Sequence, residues 1–155
     1  MPGSERDRLL AQVHESYPAI APDLLEPILR FMTVGRSITG GDTDKITILL
    51  VVAVRSTQHP DFATFTTEEL KAGRVPVLPS LGINIRSIAD STGMPRESVR
   101  RKVSELVEAG WLVKHGNQIH YTATAYMQVE PARSALEDMA VRFHEVVRKL
   151  ADKGS

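Results

Sequence analysis

Histidine serves both proton transfer and metal binding, and it stands at positions 14, 59, 115, 120 and 144. His144-Glu145 begins like a zinc-protease helix, which needs a second His four residues after the first. Position 148 is Arg instead. His115 and His120 are the one close pair, and a hairpin between them would bring them together. Two imidazoles without a neighbouring carboxylate make a weak metal site. Exposed histidines are therefore the expectation, and no metal is assigned. The absence of Cys removes thiolate zinc sites, a Cys nucleophile and a disulfide framework. Gly35, Gly40 and Gly41 match neither the Walker nor the dinucleotide spacing. Asp42 and Asp44 look like helix caps. No catalytic set assembles, so the expectation is a non-enzyme without a cofactor.

What remains is a local imbalance of charge. The chain has 155 residues, with 19 Lys+Arg against 19 Asp+Glu, and its formal net charge is zero. That excludes a strongly basic chain but leaves room for a basic face. Residues 84–122 hold 6 basic and 4 acidic groups, whereas every other stretch is neutral or slightly acidic.

The pattern in 84–122 says which elements must position these cations. Asn84 suits the cap of a short helix from Ile85 to about Ser91, with Ile88 and Ala89 inward. Gly93 can adopt the positive φ of a tight turn, and Met94 can plug it. Pro95 opens a second helix that runs to about Ala109. Val99, Val103, Leu106 and Val107 form its apolar stripe. Arg96, Glu97, Ser98, Arg100, Arg101 and Ser104 take the other side, with Lys102 at the margin. Gly110 ends the helix. Trp111–His115 and Gln118–Thr122 then read as β strands joined by Gly116-Asn117.

This stretch resembles the DNA-binding domain of bacterial winged helix-turn-helix transcriptional regulators, such as the multiple-antibiotic-resistance-regulator-like, arsenical-resistance-regulator-like and GntR-like families. The resemblance rests on Ile88-Ala89, Gly93, Ser98-Val99-Arg100-Arg101, and Leu106 followed by Gly110-Trp111-Leu112-Val113. It covers about a quarter of the chain. It implies a recognition helix at about 95–109 that enters the major groove of double-stranded DNA. Arg96, Arg100 and Arg101 would be base or phosphate contacts, and Ser98 with the helix-start N–H groups would hold a phosphate. Lys102, Lys114, His115, Asn117 and Gln118 would be backbone contacts from the margin and the wing. The wing lacks the Arg-rich tip common in such regulators. Two duller readings stand beside this one. The arginines could be solvated or paired with Glu97, Glu105 and Glu108. The winged helix could also be a protein–protein interaction module that does not bind DNA. Trp111 and Tyr121 read as packing residues.

Around this segment the sequence predicts more helix. Ser4 caps a helix with Leu9, Leu10 and Val13 that ends before Pro18. Ala21-Pro22-Asp23 opens a second, carrying Leu24, Leu25, Ile28, Leu29 and Met32, and Gly35 breaks it. Lys45–Ser56, capped by Thr43 or Asp44, is rich in β-branched residues, yet a helix is needed ahead of the turn motif. Residues 57–83 form a connection with a short helix over Thr67–Ala72. Pro131 starts a final helix to about 152, with Ala132, Leu136, Met139, Phe143, Val146 and Leu150 in a heptad-like seam.

The expected fold is mainly α with a small β-hairpin, a winged helix-turn-helix with flanking N-terminal helices and a long C-terminal helix. The expected regions are 1–43, 44–122 and 123–155, the outer two serving dimerisation. A homodimer is the expectation, because one neutral copy makes few phosphate contacts. Room between the first helices and the last is also expected for a small-molecule effector. The nine-residue apolar run Ile46–Val54 is too short to span a bilayer, and the start lacks a signal-peptide layout. A cytoplasmic protein is expected.

Overall fold

A computed structural model describes residues 3–154. The elements are α1 (Glu5–Ile38), α2 (Thr43–Thr57), a 3-10 turn (Phe62–Thr64), α3 (Thr67–Lys71), α4 (Ile85–Thr92), α5 (Arg96–Glu108), β1 (Leu112–His115), β2 (Gln118–Tyr121), α6 (Ala123–Gln128) and α7 (Glu130–Lys153). The chain is mainly helical with one two-stranded antiparallel hairpin and a long C-terminal helix. It divides into two compact units, residues 35–130 and residues 1–34 with 131–155. No helix among the described residues is long and apolar enough to cross a membrane.

In the second of these units, the two helices expected before Gly35 are one. α1 runs 34 residues through Pro18, Pro22 and Pro27. An interior Pro removes a hydrogen bond and crowds the preceding turn, at about 3 kcal/mol or more. Continuity of one buried stripe opposes that cost. Leu9, Val13, Ile20, Leu24, Pro27 and Phe31 are all at least half-buried and keep helical spacing across the prolines. Pro18 and Pro22 lie on the exposed side, where the carbonyls they strand can take water. The expected break at Gly35 fails for a related reason. A Cβ there would come within 3.1 Å of the Ile46 side chain, so the small residue admits a neighbour and the helix continues to Ile38.

α7 runs antiparallel to α1. Arg142 Nη2 donates to Glu26 at 2.7 Å and to Asp23 at 3.3 Å, while Arg30 meets Asp138 at 3.8 Å. The expected seam needs one correction. Ala132 and Val146 are buried and Met139, Phe143 and Leu150 half-buried, but Leu136 is 42% exposed. Ala135 takes the inward place, because the 3.6-residue helical repeat rotates Leu136 off the buried face.

In residues 35–130, α2 is the central helix, capped by Asp42, whose side chain accepts from the Lys45 N–H. Burial of Ile48, Leu49 and Val52 overrides the strand preference of its β-branched residues. Against it pack Ile88 and Ala89 of α4, Val99, Val103 and Leu106 of α5, and Leu112, Ile119 and Tyr121 of the hairpin. Thr66 and Glu69 form a capping box that starts α3. α6 was not expected. Thr122 starts it, accepting from the Ala125 N–H while its hydroxyl donates to the Gly110 carbonyl at 2.7 Å.

Candidate functional site

α5 owes its placement to a short chain of local bonds. Asn84 Oδ1 accepts from the Ser87 N–H at 2.8 Å and fixes the start of α4. Gly93 ends α4 at φ 74°, the left-handed conformation that L side chains resist. Thr92 Oγ1 donates to the Ile88 carbonyl and accepts from the Met94 N–H, and Met94 packs on the core. The chain then turns at Pro95, which stands at the cap position of α5 rather than inside it. Val99, Val103 and Leu106 are almost fully buried, so the opposite face must point outward.

That outward face holds Arg96, Arg100 and Arg101, all exposed, with Ser98 half-buried beside them. No side chain caps the start of α5. Its first N–H groups thus keep their donors, at the positive end of the helix dipole. Arg100 pairs with Glu97 at 3.1 Å, but both side chains are more than half exposed. Such a pair is worth about 0–1 kcal/mol and yields readily to a better acceptor. Arg96 and Arg101 lie within ion-pair distance of no carboxylate among the described residues. The arrangement can present planar two-donor groups and a helix start to anionic oxygens or to the edge of a base.

Lys102 does not share this face. Its Nζ meets Asp42 Oδ2 at 2.6 Å, with the lysine side chain 14% exposed. Lys45 meets Glu105 at 2.8 Å. Two pairs of opposite polarity thus tie the start of α2 to α5. The expected backbone contact from Lys102 is corrected accordingly, since its ammonium is committed to a carboxylate 60 residues away. Burial alone would raise the Asp42 carboxyl. The Lys102 bond, the Lys45 N–H and both lysine charges outweigh it and hold the group below its ordinary value of 3.8. A lowered native pKa stabilises the fold above the unfolded value, and that contribution is lost as pH falls through the native one. Asp42→Asn keeps a good cap but removes the charge. We expect it to lower stability by about 1–2 kcal/mol at neutral pH, with the difference from wild type closing below about pH 3.8 in denaturant titrations run across pH.

The hairpin pairs Leu112 with Tyr121, Val113 with His120, Lys114 with Ile119 and His115 with Gln118. The turn between them is Gly116-Asn117, with Gly116 at φ 64°. Lys114, His115 and Asn117 are exposed at the tip. Gln118 is drawn inward instead. Its Oε1 is buried without a hydrogen-bond partner, close over Gly82. His120 is also half-buried, with Nδ1 3.3 Å from the Leu78 carbonyl.

Both residues face the end of the 57–83 connection, for which the sequence signals no strand. Residues 76–83 run alongside β2. The Leu78 N–H donates to Tyr121, the Ala123 N–H to Pro76 and the Ile119 N–H to Ile83. α2 braces the segment, with Ser56 Oγ donating to Pro79 at 2.7 Å and Arg55 Nε to Gly82 at 3.1 Å. A Cβ on Gly82 would fall 2.9 Å from Gln118 Oε1, at a backbone φ of 98°. Gly82→Ala should therefore cost about 1–3 kcal/mol. The loss should appear in thermal unfolding and in shifted amide resonances across 117–121.

The sequence-expected residues thus separate into an α5 face (Arg96, Ser98, Arg100, Arg101), a hairpin tip (Lys114, His115, Asn117) and two inward-turned side chains (Lys102, Gln118). An open cleft of about 580 Å³ lies along the first turns of α1, lined by Glu5, Arg6, Leu9, Leu10, Val13 and Val147. Among the described residues, no three His, Cys, Asp or Glu side chains converge as a metal cluster. No protein-family model, curated protein or solved structure matches the chain.

Proposed function

We propose that the protein is a sequence-specific DNA-binding regulator of transcription, built as a winged helix-turn-helix and acting as a homodimer. The observation that carries this reading is the α5 face. A helix of about 20 Å is pinned from behind by α2 and α4, and it turns three arginines and an uncapped start outward. In the proposal α4 and α5 are the helix-turn-helix and β1–β2 the wing. The 76–83 segment beside β2 then serves as the third strand. α5 enters the major groove, where an arginine can give two parallel hydrogen bonds to guanine.

The dimer rests on a second apolar face of α1. Leu10, Tyr17, Leu25, Ile28, Leu29 and Met32 are 45–65% exposed. At about 100° per residue they fall within a third of the helix circumference, beside the stripe that faces α7. A contiguous apolar face of this kind marks an association surface. A second copy laid on it would form a four-helix layer, and reading two half-sites one DNA turn apart requires its two α5 helices to stand about 34 Å apart.

Selection of bound sequences from random duplex DNA at 0.1 M salt tests the reading. The expected outcome is an inverted repeat with half-site centres about 10 base pairs apart. Recovery of unenriched DNA would overturn it and favour the arginine face as a site for an acidic protein.

A further inference from the structure

We propose that His115 and His120 form a two-histidine binding site for a divalent transition-metal ion on the outer face of the hairpin. Strand alternation puts Val113, His115, Gln118 and His120 on the same face, opposite buried Leu112, Ile119 and Tyr121. The two imidazole centroids are 5.2 Å apart, with the rings tilted by 44°. That spacing lets one ring nitrogen from each reach a common ion at the roughly 2.0–2.1 Å of a metal–imidazole bond.

The second observation concerns the back of His120. Its Nδ1 stands 3.3 Å from the Leu78 carbonyl. A carbonyl only accepts, so Nδ1 is the donor in this contact and Nε2 is the ring nitrogen left to meet an ion. A histidine ligand in a metal site is oriented in this way, by donating its other N–H to a carbonyl or carboxylate. The orientation is not accidental to one side chain. Leu78 is held by its own N–H bond to Tyr121, and the adjoining Pro79 carbonyl takes the buried Ser56 hydroxyl. His115 is exposed at the strand end and free to close on the ion.

The donor set selects the metal. Two neutral imidazoles suit zinc, nickel or copper and not magnesium or calcium, with copper bound most tightly. Water completes the coordination. Among the described residues no carboxylate or thiolate joins the pair, so the bound ion keeps its full double charge at the hairpin. If the hairpin is a wing on DNA, that charge stands where the arginine-rich tip is lacking. The site itself does not depend on the DNA reading.

Titration of the full-length protein with Ni²⁺ and with Cu²⁺ tests the proposal without DNA. One ion per chain is expected at this site, tighter for Cu²⁺ than for Ni²⁺. His115→Ala and His120→Ala should each weaken it at least tenfold, whereas His59→Ala should not. Sub-stoichiometric Ni²⁺ should broaden the imidazole proton signals of residues 115 and 120 together before those of 14, 59 or 144. Equal affinity in the two hairpin variants and wild type would overturn the site, as would broadening of only one of the pair.

Discussion

Replacing Arg100 and Arg101 together by Ala should abolish selective DNA binding while leaving the fold and the dimer intact. Both side chains are exposed on α5, opposite Val99, Val103 and Leu106, so no core contact is lost. The Arg100–Glu97 pair is exposed and contributes little to stability. A good arginine–guanine pair contributes about 1–3 kcal/mol of discrimination, so losing two per half-site should lower specific affinity by roughly 30-fold or more for each half-site engaged. Non-specific affinity should fall much less, with a shallower salt slope of about 0.9 log units per lost phosphate contact. Competition binding against random duplex measures both quantities. A double variant with wild-type site preference would remove α5 from the account.

The second large effect concerns α1. Ile28 is 45% exposed on the unpartnered apolar face, about one helical turn from both Leu25 and Met32. Ile28→Glu places a charge there without disturbing the stripe of Leu24, Pro27 and Phe31. The variant should stay helical and sediment as a 17.1 kDa monomer at micromolar concentration. Its affinity for a two-half-site duplex should then fall by about 10²–10⁴, the advantage of joining two binding modules. A variant that remains dimeric would place the interface elsewhere.

The sequence made the local parts of the site legible and the distant parts invisible. Asn84, Gly93, Pro95, Gly110 and Gly116 are each punctuation with one backbone meaning, so α4, α5 and the hairpin lie close to where they were expected. The stripe of Val99, Val103 and Leu106 settled which side of α5 faces out. Prolines misled in α1, because local propensity was read where a continuous buried stripe decides. The short Ala123–Gln128 helix was missed, although Thr122 carries a cap-forming hydroxyl. Lys102 looked like a marginal cation of α5. Its partner Asp42 is 60 residues away, and no spacing rule links them. Likewise nothing local ties Gln118 to Gly82 or His120 to Leu78. Those contacts follow from a segment, 76–83, whose prolines hide its strand-like pairing.

These corrections narrow the cationic surface and make the account more specific. With Lys102 committed inward, Arg96, Arg100 and Arg101 are the cations left on the outward face of α5, and the proposal predicts weak non-specific attraction for a neutral chain. On the proposed reading, binding would depend on aimed contacts and on two copies acting together.

The central claim is that α5 reads the major groove through these arginines. Methylation interference at guanine N7 on the selected duplex tests it most directly, because N7 is exposed only in that groove among the two. The account predicts that N7-methylation of half-site guanines blocks wild-type binding, and that the Arg100→Ala/Arg101→Ala protein no longer distinguishes methylated from unmethylated duplex. Undiminished wild-type binding to the methylated duplex would contradict it.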